Sequence, residues 1–384
     1  MLLRRVTLFR FFGYKIKADS SWIFLSVLIC WTLSNNVYPK VYPGLSLDTY
    51  QLMSVAALGG IIFSIIAHEV AHAVIAEYYH MPIDNITLFI FGGVAEMKGE
   101  PSNPRGEFLM AISGPIMSAL LGLIFVSSAD MYEIHIGKAP VSYVFHDLGR
   151  LNFFIAAFNL IPAFPLDGGR ALRAIIWHKK NNLVLATRFS SETGKLFGSL
   201  LIAFACYQIY FLDDLLSGVW SALIGLFVHS AASYAVQHTE NRSLLSPETV
   251  ARFINTQIVA VSPDLTLIDL VDNYIYKHYQ RSFPVVDRGL LVGVVSLQAV
   301  LSLDRHKWHW LHVASVMEPP TSDTVIGPDA NAADALDLLQ KHGREMLLVA
   351  KDRKFIGVVT FRDLISYLSI SRKVDHNRSV VTSR

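Results

Sequence analysis

Six stretches of the chain lose the polar positions that a soluble fold would place on its surface. Residues 20–39, 49–68, 108–129, 151–166, 196–212 and 215–239 contain no Asp, Glu, Lys or Arg. A bilayer-spanning helix needs about 20 mostly apolar residues. Five of the six reach or approach that length. The fourth, 151–166, is shorter and is interrupted by Pro162 and Pro165. A buried core helix could account for one such stretch but not for six, so the pattern predicts about six transmembrane helices. Two strand-like runs lie outside them. The basic segment 10–17 alternates in part, which suits a short strand pair or an interfacial segment. Residues 83–97 read as strand, with a bend at Gly92-Gly93. The pattern changes after residue 240. There, short apolar strands alternate with amphipathic helices of ordinary polarity.

Composition sharpens this division. Of 384 residues, 52% are hydrophobic and 17% charged, and the mean hydropathy is +0.40. Half of the charged residues, 32 of them, fall in residues 1–240 and 32 in the much shorter 241–384. The first part is too charge-poor for a soluble domain. This excludes a wholly cytosolic enzyme, a disulfide scaffold and a disordered tail. Cys30 and Cys206 both lie in apolar stretches. The net charge of +2 comes without a long basic run, so nucleic acid is not a predicted partner. No cleavable secretory signal stands out at the start. With six crossings, both termini share one side of the membrane. That side would hold 13 Lys and Arg, in 1–19, 80–107 and 170–195, against two, Lys40 and Lys138, on the other. The positive-inside rule makes the richer side cytoplasmic. The expected location is the cell membrane, multi-pass, with both termini cytoplasmic.

The second apolar stretch ends in His68-Glu69-Val70-Ala71-His72. Residues four apart share a helix face, so His68 and His72 can hold one metal ion while Glu69 acts on water. This is the H-E-x-x-H pattern of zinc hydrolases. The alternative, two histidines on a polar helix face, does not suit an apolar helix, where ionisable groups are costly and mark sites. A third ligand is needed. Glu77 sits at the helix end, and Asp167 in Asn159-Leu-Ile-Pro162-Ala-Phe-Pro165-Leu-Asp167-Gly168-Gly169-Arg170 is the better candidate. Two prolines and two glycines predict a broken helix, which lipid tolerates only around a cavity or packed protein. An acidic group at that break suits a cation, although Asp167 could instead cap a helix. The Asn159 amide could hydrogen-bond a substrate carbonyl or oxyanion. Ser113-Gly114-Pro115 reads as a close-packing site. His229 reads as a packing residue and His146 as an interfacial one.

On His68–His72, Phe91-Gly92-Gly93, Ser113-Gly114-Pro115 and Asn159–Gly168, the chain resembles the site-2 protease family of intramembrane zinc metalloproteases, peptidase family M50, over roughly residues 10–235. The resemblance implies one Zn2+ per chain, with His68, His72 and Asp167 as ligands. It implies Glu69 as general base and Asn159 as an aid to the transition state. Gly92 and Gly93 would belong to a strand that lines up unwound substrate, which could join an edge near residues 86–91. There is no PDZ-like insertion, which fits the branch with C-terminal CBS domains.

Residues 241–384 carry an internal repeat. Leu291-Val-Gly293-Val-Val-Ser296 parallels Phe355-Ile-Gly357-Val-Val-Thr360, with glycines 64 residues apart. It resembles a tandem CBS pair, at about 245–308 and 312–372. Such pairs often bind ATP or another adenine nucleotide, and the resemblance would place Thr360 and Asp363 at phosphate and ribose. The first repeat has Ser296 but Ala299 in place of the acid. A CBS pair can equally serve only to form a homodimer.

The sequence therefore predicts an α-helical polytopic membrane protein, with a short membrane-associated β-sheet in residues 1–240, followed by an α/β CBS pair in residues 241–384. Its predicted function is zinc-dependent hydrolysis of peptide bonds within or near transmembrane segments of partner proteins in the lipid bilayer, regulated by the CBS pair. The rival reading is a CBS-gated ion channel or transporter. It leaves the His-Glu-x-x-His spacing unexplained.

Overall fold

The structure, a computed structural model, describes residues 6–11, 14–81, 83–89, 92–97, 101 and 103–381. It divides into two compact units, Met1–Gln237 and His238–Arg384. Phe12, Gly13, Ile90 and Phe91, on which parts of the sequence reading fell, lie outside the described residues.

The first unit opens with strands β1 (Val6–Phe11) and β2 (Tyr14–Ala18). Helix α1 (Ser20–Thr32) starts where the Asp19 carboxylate accepts from the Ser21 amide. It runs through a π-turn at Leu33–Val37 into the short α2 (Tyr38–Val41). Ser46 caps α3 (Leu47–Tyr78). Strands β3 (Ile83–Phe89) and β4 (Gly92–Met97) follow. Asn103 then caps α4 (Pro104–His135), whose first turn carries Pro104, tolerated there because that N–H would be unbonded anyway. After α5 (Pro140–Asn159) and α6 (Asp167–Lys180) come two long helices, α7 (Leu183–Phe211) and α8 (Leu215–Leu245).

Among the described residues, four helices are long and apolar enough to cross a membrane: α3, α4, α7 and α8. The other two predicted crossings are interrupted. Residues 20–39 run through α1 and the π-turn into the start of α2. Residues 151–166 fall into the end of α5, whose earlier turns hold His146, Asp147 and Arg150, and a non-helical segment from Leu160 to Leu166.

The strands form one sheet in the order β1-β2-β3-β4. The β1/β2 and β3/β4 pairs are antiparallel, and β2 runs parallel to β3. Two sequence expectations change here. Gly92 and Gly93 are not the bend. They open β4, paired antiparallel with Phe89 and Leu88. Nor do residues 86–89 form an edge, because β3 is paired on both sides; among the described strands the edges are β1 and β4.

The unit is apolar outside and buries polar side chains among apolar ones such as Tyr38, Met53 and Leu148. Leu52, Phe24 and Ile23 are about 70% exposed, and Leu123, Ile124 and Phe154 also face outward. Ser54, Ser64, Ser118, Asn152, Thr187, Ser190 and Ser191 are buried. Small residues let the helices meet: a Cβ on Gly149 would meet Val126, and one on Gly122 would meet Phe153. Water would reverse this arrangement, whereas lipid favours it.

The second unit is built twice. Each half pairs a hairpin with a helix: β5 (Ser282–Asp287) and β6 (Leu290–Ser296) after residues 267–278, then β8 (Met346–Lys351) and β9 (Lys354–Thr360) after residues 332–342. In the first half, residues 267–278 comprise α9 (Leu267–Asp269), a π-turn (Leu270–Ile275) and α10 (Tyr276–His278). The short α11 (Leu297–Leu301) follows β6. In the second half, β7 (Val325–Ile326) precedes α12 (Ala332–His342), and α13 (Phe361–Val381) follows β9. The sheet order is β5-β6-β9-β8-β7, joined at its centre by Leu290 and Lys354. Each hairpin is offset in register at the same point, Val285/Val286 and Val349/Ala350. The cores exchange segments. Leu245, Val250 and Phe253 pack with Leu336 and Leu347 of the second half, while Val313 packs with Val285 and Val295 of the first.

Candidate metal centre

His68 and His72 lie one turn apart on α3, both buried. Their Nε2 atoms are 3.1 Å apart. Oδ2 of Asp167 lies 3.1 Å from Nε2 of His68 and 3.3 Å from that of His72. Among the described residues these three form the one cluster of His, Cys, Asp and Glu with metal-ligand spacing. Asp167 is the first residue of α6, and no side-chain cap bond forms at that helix end. Its carboxylate faces the imidazoles, so the helix-cap alternative does not describe it.

Do these groups suit zinc? Bonds of about 2.0–2.1 Å at tetrahedral angles put ligand atoms about 3.3 Å apart. The observed triangle matches that to a few tenths of an ångström. The outer ring nitrogens are also held. Nδ1 of His72 lies 2.6 Å from the Met110 carbonyl oxygen, and Nδ1 of His68 lies 2.9 Å from Oγ of Ser118. A carbonyl only accepts, so Nδ1 of His72 carries the proton and, in the neutral ring, Nε2 is bare. A bare nitrogen converging on a carboxylate oxygen and a second imidazole is an arrangement that a cation satisfies. The donor set, two imidazoles and one carboxylate, is that of a catalytic zinc site with a position left open.

Helix α4 makes room for this triangle. A Cβ on Gly114 would lie 2.3 Å from Nε2 of His72 and 2.5 Å from Nε2 of His68. Met110, Gly114 and Ser118 are four residues apart and so share one face of α4. They contribute, in turn, a carbonyl, an empty space and a hydroxyl. The sequence marks Ser113-Gly114-Pro115 as a packing site and carries no signal at Met110 or Ser118. A serine eight residues after a carbonyl partner has no signature until the histidines are placed against it.

The carboxylate arrives by a different route. Helix α5 stops at Asn159, and residues 160–166 fold back against the start of α6. A Cβ on Gly168 would lie 2.3 Å from the Leu160 carbonyl, and one on Gly169 would lie 2.2 Å from the Phe164 nitrogen. The two glycines therefore do not break a helix, as the sequence suggested. They form the first turn of one, against which the loop backbone lies. Helix α7 holds the loop from the other side: the Phe164 amide donates to the Ser190 carbonyl, and the Thr193 hydroxyl donates to the Pro162 carbonyl. Farther along α6, the Arg173 guanidinium donates twice to Oε1 of the fully buried Glu107 on α4, Nε at 2.7 Å. It also lies over the Phe164 ring.

Glu69 is buried beside the triangle on α3. The Asn159 amide donates to the Ile155 carbonyl within its own helix, and it does not reach the triangle in this structure. Gly92 and Gly93 lie on the edge strand β4. His146 sits between Asp130 and Glu133, at 3.6 and 3.5 Å. Nδ1 of His229 is 3.5 Å from the Ser199 hydroxyl.

In the second unit, the Thr360 hydroxyl donates to the Asp363 carboxylate at 2.6 Å, and the Asp363 amide donates to the Thr360 hydroxyl oxygen. The two residues meet at the start of α13. At the matching point of the first half, the Ala299 amide donates to the Ser296 hydroxyl oxygen, with no acid present.

The family model for peptidase family M50 matches residues 56–134 and 129–201, and the CBS domain model matches residues 250–306 and 313–370. Rip3 of Mycobacterium tuberculosis, provisionally named a zinc metalloprotease, is 27% identical over 98% of this chain and 96% of its own. Zinc metalloprotease MJ0392 of Methanocaldococcus jannaschii is 27% identical over 95% of this chain and 96% of its own. The solved site-2 protease from Methanocaldococcus jannaschii aligns with a TM-score of 0.43 at 27% identity, over 61% of this chain and 95% of that one.

Proposed function

From the premise that this chain belongs to peptidase family M50, with a CBS pair, and is a zinc metalloprotease of multi-pass membrane type, we propose that it cuts peptide bonds within or near the transmembrane segments of other proteins. One observation carries the reading: the His68–His72–Asp167 triangle, with the edge lengths of a zinc site, lies among charge-poor helices whose outer faces are apolar.

In this reading His68, His72 and Asp167 hold one Zn2+. The ion supplies Lewis acidity, which polarises the scissile carbonyl and makes water a nucleophile near neutral pH. Glu69 accepts the proton that the attacking water gives up. It then passes that proton to the departing amine, so its carboxylate is regenerated at the end of the cycle. The Asn159 amide turns from Ile155 toward the oxyanion when substrate is bound. A transmembrane helix has its peptide groups bonded internally, so substrate must unwind before it is cut. The open edge of β4, including Gly92 and Gly93, offers it main-chain partners.

The reading extends to the whole chain. Six crossings, with α1–α2 and the α5–loop segment added to the four long helices, place both termini in the cytoplasm. The CBS pair regulates cleavage there. Thr360 and Asp363 serve an adenine nucleotide in the second half, and the pair also forms a homodimer.

The test is zinc content and cleavage of a transmembrane substrate for wild type, Glu69→Gln and His68→Ala. Glu69→Gln should keep the metal and lose cleavage by several orders of magnitude. His68→Ala should lose most of both. Cleavage by Glu69→Gln would refute the base, and ion flux without proteolysis would favour the channel.

A further inference from the structure

Nδ1 of His72 has the Met110 carbonyl at 2.6 Å, with the Ser113 hydroxyl farther off at 3.4 Å, whereas the partner of His68 is Ser118, a hydroxyl whose proton can point either way. His72 faces a main-chain carbonyl, which fixes its tautomer. His68 faces a hydroxyl, which can donate or accept. If Ser118 donates, Nδ1 of His68 is bare and Nε2 carries a hydrogen toward Asp167, which closes that nitrogen to a metal. If Ser118 accepts, Nδ1 holds the hydrogen and Nε2 is bare, as in His72.

We propose that Ser118 is a positioning residue for the metal centre: by accepting the Nδ1 proton of His68 it holds the ring in the tautomer that presents a bare Nε2 to the ion. The inference rests on the zinc reading above. Two observations support it. Ser118 is fully buried, so no solvent competes for the imidazole. It lies on the same face of α4 as Met110 and Gly114, so one helix face holds both rings.

Outer-shell partners of ligating histidines typically contribute about 10–100-fold in metal affinity. The experiment uses the purified full-length protein in detergent. Its zinc affinity is measured by chelator competition, and its unfolding temperature is measured with and without zinc. Ser118→Ala should bind zinc about 10–100-fold more weakly. Its metal-free form should unfold where the metal-free wild type does. Ser118→Thr, which keeps an oxygen at that position, should bind zinc more tightly than Ser118→Ala. His68→Ala is the reference and should lose the metal. If His68→Ala binds zinc as wild type does, the zinc reading itself fails. If His68→Ala loses zinc while Ser118→Ala binds as tightly as wild type, the role of Ser118 is overturned and the zinc reading stands. A Ser118→Ala protein whose metal-free form is destabilised with zinc affinity unchanged would make the residue purely structural, and would also overturn the proposal.

Discussion

Gly114→Ala sets two effects of opposite sign against each other. Alanine improves helix propensity over glycine by about 1 kcal/mol. The added methyl, however, would stand 2.3 Å from a ring nitrogen that is itself held from behind by a carbonyl. Buried imidazoles with fixed partners cannot yield by that much, so the metal should be lost while the helix remains. The expected result is a protein of near-wild-type helicity by circular dichroism that carries no zinc by elemental analysis. A zinc-loaded Gly114→Ala protein would show that α4 stands farther from the centre than described. The histidines themselves were legible in the sequence, because a spacing of four on an apolar helix admits few explanations. Asp167 was legible from an acid at a helix break. Gly114, Ser118 and the Met110 carbonyl were not, since their roles depend on how α4 meets α3, and no local pattern encodes that.

At the scale of elements, Asp167 reaches the histidines only because α6 is held in place. The Glu107–Arg173 pair joins α6 to α4 inside the unit. Removing one partner of a buried pair leaves an uncompensated charge and costs about 3–5 kcal/mol. Glu107→Ala should therefore lower the unfolding temperature markedly and reduce zinc retention. In a double-mutant cycle with Arg173→Ala, the double mutant should lose less than the sum of the two single losses. The second unit carries a different lesson. Its two halves run in register except between residues 267 and 279, where the first half has 12 steps and the second, from 332 to 343, has 11. The structure absorbs the extra residue as the π-turn at Leu270–Ile275, as inserted residues in helices commonly are. The turn keeps Ile275 buried, as Leu339 is in α12. Deleting the exposed Asn273 should convert the turn to regular helix and change stability by less than about 1 kcal/mol. Deleting one residue from the middle of α12 should rotate Leu339 off the core and cost several times more; thermal unfolding compares the two. Farther on, Tyr279 takes the left-handed conformation that Gly343 takes in the second half, and it is 91% exposed. The repeat showed that the halves match, but an insertion of one residue is visible only when the helix has to accommodate it.

Across the whole molecule, the inverted distribution of polarity carries the membrane assignment. The apolar stretches were plain in the sequence, yet the predicted six crossings resolve into four long helices, a helix interrupted by a π-turn and a segment that gives up helix to form the loop before Asp167. The difference is physical. Hydropathy reports which residues tolerate lipid, and the loop at 160–166 is apolar because it packs against α6 and α7. The imbalance of Lys and Arg sets the expected orientation. A single cysteine at residue 180, in a background with Cys30 and Cys206 replaced, should react with an impermeant reagent only from the cytoplasmic side, and one at residue 138 only from the opposite side. The reverse labelling would overturn the topology while leaving the metal site intact. The central claim is that a cation is held by two imidazoles of one helix and a carboxylate brought from a distant one. The most direct test is the zinc stoichiometry of purified Asp167→Ala beside wild type, after identical dialysis against a mild chelator. The account predicts about one zinc per chain for wild type and essentially none for Asp167→Ala. Equal zinc in the two proteins would contradict it.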